Sequence, residues 1–293
     1  MKEKERQETA MRISRVSIGA NVILSGVKLI AGILAHSNAM LSDAVHSLSD
    51  VLSTFVVMIG VHISGKEADE EHPYGHERYE CAAAIILAVM LAVTGAGIGL
   101  AGIRTIRSGT DHLVVPGLLA LGAAIVSIVV KEAMFWYTKK GADRIRSGAL
   151  LADAWHHRSD AMSSVGSLIG IAGARLGYPI LDPLAGIVIC LFIFKAAYDI
   201  FKDALKKMVD ESVEEEIVTE LRRQILQEEG VLKVDDIRTR VFGARYYVDV
   251  EIAADGQQSL SEAHDRAERV HDHMEELFPD IKHIMVHVNP LEA

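Results

Sequence analysis

Two eight-residue stretches, DAVHSLSD (Asp43–Asp50) and DAWHHRSD (Asp153–Asp160), share five of their eight residues and lie 110 positions apart. On a helix, positions i, i+3 and i+7 fall within an arc of ~60°. Asp43, His46 and Asp50 therefore share one helix face, and so do Asp153, His156 and Asp160. The i, i+4 pairs His46/Asp50 and His156/Asp160 each offer an imidazole nitrogen and a carboxylate oxygen. Brought together across two helices, they would supply two nitrogens and two oxygens, a set suited to a tetrahedral divalent metal. Asp43 and Asp153 are expected to support those ligands from behind or to cap helix ends.

The surroundings make the polar groups costly. Six apolar segments, each near the ~20 residues a helix needs to cross the hydrocarbon, run from about Ile13 to Ala35, Asn38 to Ser64, Cys81 to Ile103, His112 to Tyr137, Gly148 to Ala174 and Ile180 to Phe201. The two repeats sit near the middle of the second and fifth. An Asp at the bilayer centre costs roughly 2.5–3.5 kcal/mol on insertion scales. Four such carboxylates are hard to carry unless they line a polar cavity and bind something. A purely structural alternative is a buried ion-pair network with Lys28, Lys131 or Arg158.

Composition divides the 293 residues in two. The chain is 50% hydrophobic, with a mean hydropathy of +0.22 and a net charge of −10. From Lys207 to Ala293 there are 10 Lys and Arg against 21 Asp and Glu, whereas the preceding 206 residues hold 20 and 19. An apolar, nearly neutral part is thus followed by an acidic, water-soluble one, and so acidic a surface excludes nucleic acid as a partner. The only cysteines, Cys81 and Cys190, lie in apolar runs, which supports neither a disulfide framework nor a thiolate zinc site. Fourteen Lys and Arg flank the segments on one side and three on the other, placing both termini in the cytoplasm. MKEKERQETAMR at the N-terminus is read as a retained cytosolic tail.

Within the acidic part, Val213 to Gln227 has a helical period, VLKVDDIRTRVF and RYYVDVEIAA read as strands turning at Gly243, and a second helix follows Ser259, with Glu262 three residues on as a capping box. KHIMVHVNP is a last strand. The order helix-strand-strand-helix-strand implies one sheet with helices on one face.

The paired H-x-x-x-D motifs in the second and fifth of six spans, together with the small acidic tail, resemble the cation diffusion facilitator family from about Arg12 to Pro290. HPYGHERYE (His72–Glu80) resembles that family's first cytoplasmic loop. The resemblance implies an α-helical membrane protein with a cytosolic tail (1–11), a six-helix transmembrane bundle (12–206) and a C-terminal cytosolic α+β domain of ferredoxin or metallochaperone type (207–293). It implies a homodimer in the lipid bilayer, here expected in a bacterial cell membrane, that exchanges cytosolic divalent metal for protons. His46, Asp50, His156 and Asp160 would form its transport site, and Asp69, His72 and His76 its loop site. In the cytosolic domain, His264 and His287 match ligand positions of the zinc-exporting type. Asp235, Glu251 and Asn289 stand where that type has other His and Asp ligands, so a metal-responsive dimer domain of altered stoichiometry is expected. His271, His273 and His283 are further histidines there.

Two His and two Asp favour Zn²⁺ and accept Cd²⁺ or Fe²⁺, while Mn²⁺, second in expectation, prefers more oxygen. Metal is thus substrate and possible regulator, and no enzymatic cofactor is expected. Two rival classes are an intramembrane metalloenzyme and a membrane-tethered metal sensor. The first lacks the H-E-x-x-H of a metalloprotease, and the second leaves matched polar groups within the spans unexplained.

Overall fold

A computed structural model describes residues 3–34, 38–108, 118–175, 178 and 180–291; side chains at 3–4, 31–32, 38–46, 49, 118–121, 123–124, 163, 166–167, 169–175, 181–183, 185–186 and 189 are outside the description. The chain divides into two units, Met1–Leu205 and Lys206–Ala293.

The first unit is built from long helices: α1 (Glu3–Leu34), α2 (Asn38–Ser64), α3 (Arg78–Ser108), α4 (Leu118–Ile145), α5 (Gly148–Arg175) and α6 (Leu181–Met208). Among the described residues, Glu5–Ile30 and Arg78–Ser108 are each long and apolar enough to cross a membrane. Helix α1 packs on α2 and α4, α4 on α5, and α3 on α2 and α5. Small residues allow close approach where side-chain burial gives little driving force in lipid. A methyl group added at Gly99 of α3 would lie 2.7 Å from Cys190 Sγ of α6, and one at Gly95 would lie 2.9 Å from Ile193 Cγ2.

The distribution of polarity is the reverse of that in a water-soluble bundle. Ile23, Ile30, Val89, Val93, Leu191 and Phe192 are exposed, whereas Asn21, Lys28, Ser53, Thr54, Lys131 and Thr138 are buried. Apolar outside and polar inside is the arrangement that hydrocarbon surroundings stabilise.

Residues 3–11, expected as a tail, are helical and continuous with α1. No Gly or Pro interrupts them, and buried Arg6 fixes the turn. Its Nε donates to the Ile145 carbonyl at 2.9 Å, and its guanidinium pairs with Glu80 at the start of α3. Arg6→Ala deprives a buried carboxylate of this guanidinium and is expected to destabilise the bundle by about 3–5 kcal/mol. Thermal unfolding in detergent should show that loss, with Arg12→Ala, at an exposed position, nearly unchanged.

The second unit contains α7 (Glu215–Ile225), β1 (Lys233–Phe242), β2 (Arg245–Asp255), α8 (Leu260–Leu277) and β3 (Ile281–Leu291). Strand β2 is central, antiparallel to β1 and parallel to β3. The β1–β2 hairpin turns through Gly243, whose φ of 65° lies in the left-handed region that glycine adopts without a Cβ clash. Alternate residues Val248, Val250 and Ile252 of β2 meet Leu221 and Ile225 of α7 and Val270 and Met274 of α8 in one core. Ser259 and Glu262 form the reciprocal cap at the start of α8: the Glu262 N–H donates to Ser259 Oγ at 3.3 Å, and the Ser259 N–H to Glu262 Oε2 at 2.8 Å. Ser259→Ala is expected to cost about 1 kcal/mol, seen as faster amide exchange in the first turn of α8.

Candidate metal site

Helices α2 and α5 lie against each other and present the two motifs. Asp50, His156 and Asp160 are buried. One ligand atom from each lies within 4.8 Å of the others, and His156 Nε2 is 3.4 Å from Asp50 Oδ1. The i, i+4 spacing stacks His156 and Asp160 on one face of α5, while the Asp50 backbone carbonyl is held by Ser53 Oγ, which donates at 2.7 Å. Among the described residues, neither ring nitrogen of His156 has a hydrogen-bond partner. A buried imidazole in that state is costly unless something binds it. Asp43 and His46 belong to α2, four and more residues before Asp50, but their side chains lie outside the described ones.

A cation from the protein already reaches the carboxylates. Lys131 Nζ of α4 donates to Asp50 Oδ2 at 2.5 Å and to Asp160 Oδ2 at 2.8 Å. Of the three cations considered for an ion-pair network, Lys131 bridges the two motifs among the described residues. Lys28 donates to Ser47 Oγ at 2.8 Å, and Arg158 lies 3.7 Å from Glu132 with its guanidinium 4.3 Å above the Phe135 ring.

Asp153 is fully buried and faces different partners. Its Oδ1 accepts from Thr54 Oγ1 at 3.2 Å, and its Oδ2 lies 3.5 Å from His157 Nε2. It therefore ties α5 to α2 one turn from Asp50. His157, also fully buried, escapes a comparison of the two repeats because the first has Ser47 in its place. The signal that could have found it is the i, i+4 pair Asp153/His157 overlapping the motif.

The loop after α2 forms a second cluster. Asp69 Oδ1 accepts from the His72 N–H at 2.7 Å, and Asp69 Oδ2 is 3.3 Å from His76 Nε2. His76 Nδ1 lies 3.1 Å from the Glu67 carbonyl, the partner that places the ring proton on Nδ1 and the lone pair on Nε2. The His72 and His76 ring centroids are 4.4 Å apart. The His72 backbone N–H is the main cause that holds the Asp69 carboxyl below its ordinary value of 3.8. Asp69 thus stays an anion, and the turn it anchors persists above that value and is lost as pH falls through the lowered one.

In the second unit, Asn289 Nδ2 donates to Asp235 Oδ2 at 3.2 Å and to Glu251 Oε2 at 3.3 Å, joining the three strands. Lys233 first, then Asn289, lowers the Asp235 pKa. His287 stands opposite Glu251 in the β2–β3 register. His264 is exposed, 4.0 Å from Glu268 in the next turn. Among the described residues, no three-ligand group includes His264 or His287.

A buried carboxylate-imidazole cluster among helices with apolar exposed faces is thus followed in the chain by a small acidic α+β unit. A family model described as the cation efflux transmembrane domain matches residues 14–209, and one described as the cation efflux protein cytoplasmic domain matches 213–291. The chain belongs to the cation efflux, or cation diffusion facilitator, family, which is one of transporters. It is 35% identical over 296 residues to metal tolerance protein C1 of Arabidopsis thaliana, covering 97% of this chain and 63% of that protein's length. Manganese efflux system protein MneS of Bacillus subtilis (strain 168) is 34% identical over 278 residues, covering 94% of each chain. MneP of the same strain is 29% identical over 293 residues, covering 98% of each.

Proposed function

We propose that this chain exports a divalent transition metal from the cytosol in exchange for protons, working as a homodimer whose helices α1–α6 all span the bilayer and whose termini both face the cytosol. The transport ligands are His46, Asp50, His156 and Asp160, with Asp43 and Asp153 in support. The observation that carries this reading is the buried convergence of Asp50, His156 and Asp160.

The electrostatics favour exchange. Two carboxylates and one ammonium leave a single negative charge; a divalent ion that displaces Lys131 neutralises both carboxylates. Metal needs deprotonated ligands, so protons arriving from the far side compete with it for the same atoms. Lys131 then acts as a tethered substitute cation that limits uncompensated charge while the carrier returns empty. Asp69, His72 and His76 gather cytosolic metal. The group at Asp235, Glu251 and Asn289, with His264 and His287, responds to it.

Zinc is the preferred cargo on the donor set. Manganese is second, a reading strengthened by relatives named for manganese efflux; Fe²⁺ and Cd²⁺ fit the same ligands. The test is proteoliposomes carrying a metal-sensitive dye and a pH dye, offered Zn²⁺ or Mn²⁺ in turn. Metal flux with opposing proton movement is expected, and zinc faster. Absence of flux for every metal from folded protein would leave the tethered-sensor reading in its place.

The Lys131 bridge itself favours a second reading, a permanent structural lock between α2, α4 and α5. Replacing Lys131 separates the two readings.

A further inference from the structure

Helix α8 and the outer edge of β3 hold another group of donors. Val270 and Met274 bury one side of α8 in the core, which fixes the helix rotation and leaves His271 and Glu275, one turn apart, beside β3. That strand pairs with β2 on one side only, and its Ile284 carbonyl lies 2.9 Å from His271 Nδ1. The carbonyl can only accept, so the ring proton sits on Nδ1 and the lone pair on Nε2. Metal-binding histidines show this arrangement, in which a backbone carbonyl orients the ring and sets its tautomer.

The lone pair points at further ligands. His271 Nε2 lies 3.4 Å from Glu275 Oε1, close to the edge of a tetrahedron with metal–ligand bonds of ~2.1 Å. The His283 ring, from β3, stands edge-on at 5.6 Å between centroids, and the three donor atoms lie within 4.8 Å of one another. A simple ion pair would account for His271 and Glu275. It gives no reason for a second imidazole beside the first, since two protonated rings would repel.

We propose that His271, Glu275 and His283 form a distinct divalent-metal site that joins α8 to the free edge of β3. It shares no residue with the group at Asp235, Glu251 and Asn289, and it does not depend on the reading of the intramembrane site. Two nitrogens and one oxygen select Zn²⁺, Co²⁺ or Ni²⁺ over Mn²⁺ or Mg²⁺. Three protein ligands leave an open position for water, which suits a site that fills and empties with the cytosolic metal level. Occupancy would pin a helix to a strand edge and so report that level to the domain.

The test is carbethoxylation of histidines in the full-length protein in detergent, stripped of metal and then titrated with Zn²⁺, each site being read by mass spectrometry after digestion. His283, which is exposed, is expected to react about tenfold more slowly with Zn²⁺ present, and Mn²⁺ is expected to protect it far less. His271→Asn, whose side-chain amide takes the place of Nδ1 and can still donate to the Ile284 carbonyl while nothing replaces Nε2, should remove the protection, and Glu275→Gln should raise the Zn²⁺ concentration required about tenfold. Unchanged His283 reactivity at saturating Zn²⁺, or protection that survives His271→Asn, overturns the site. Metal flux in proteoliposomes reports the transport site separately, so either site can fail without the other.

Discussion

Asp50→Asn reduces metal flux by at least about 100-fold while the protein remains folded and dimeric. The magnitude follows from the chemistry of the position: changing residues that merely orient metal ligands costs 10–100-fold, and Asp50 contributes a ligand oxygen itself. Folding survives because Asp160 still holds Lys131 at 2.8 Å and the Asp50 backbone carbonyl keeps its bond from Ser53. Asp160→Asn behaves alike, with Lys131 retained by Asp50. Flux into dye-loaded liposomes, beside thermal unfolding of the same preparations, checks both. A variant that transports at the parental rate would remove Asp50 from the site.

Lys131→Met produces the other large effect, and it depends on metal. Without its ammonium, Asp50 and Asp160 lose the buried cation that both accept from, and the loss of stability is about 3–5 kcal/mol. If Lys131 is a displaceable substitute for the cargo, Zn²⁺ restores most of that stability, so the zinc-induced rise in unfolding temperature is much larger in the variant than in the parent. Transport by the variant slows, because the empty carrier must return with its carboxylates bare. A structural lock would behave differently: zinc would not rescue the variant, and its zinc-induced shift would match the parent's. Methionine suits the test because it fills nearly the same length without charge or hydrogen-bond donor.

What could be read from the sequence follows from the kind of information periodicity carries. The alternation of Val248, Val250 and Ile252 and the Ser259/Glu262 cap are local, and strand β2 and helix α8 lie where those signals point. The parallel pairing of β2 with β3 is set by the α8 crossover and leaves no local trace. Helical spacing likewise puts Asp50 on a face of α2 and His156 and Asp160 on a face of α5, and the structure brings those faces together. Spacing cannot choose between neighbours on one face. Asp153 has His156 three residues on and His157 four residues on, and only the position of Thr54 across the interface shows that it meets His157. That Lys131 reaches both motifs rests on the rotation of α4, which the apolar run before it, from Leu118 to Val130, leaves unmarked. At the N-terminus, read as a cytosolic tail, the partner of Arg6 is a buried carboxylate on α3, 74 positions away, and no local signal announces it.

The most direct measurement is an anomalous-scattering map, recorded at the zinc absorption edge from crystals of the parent protein soaked in Zn²⁺. A peak about 2.0–2.2 Å from Asp50, His156 and Asp160, with the Lys131 ammonium withdrawn from both carboxylates, is the predicted result. No peak at these three residues, with Lys131 still bridging Asp50 and Asp160 while other sites in the protein hold zinc, would contradict the assignment of these residues as the transport site.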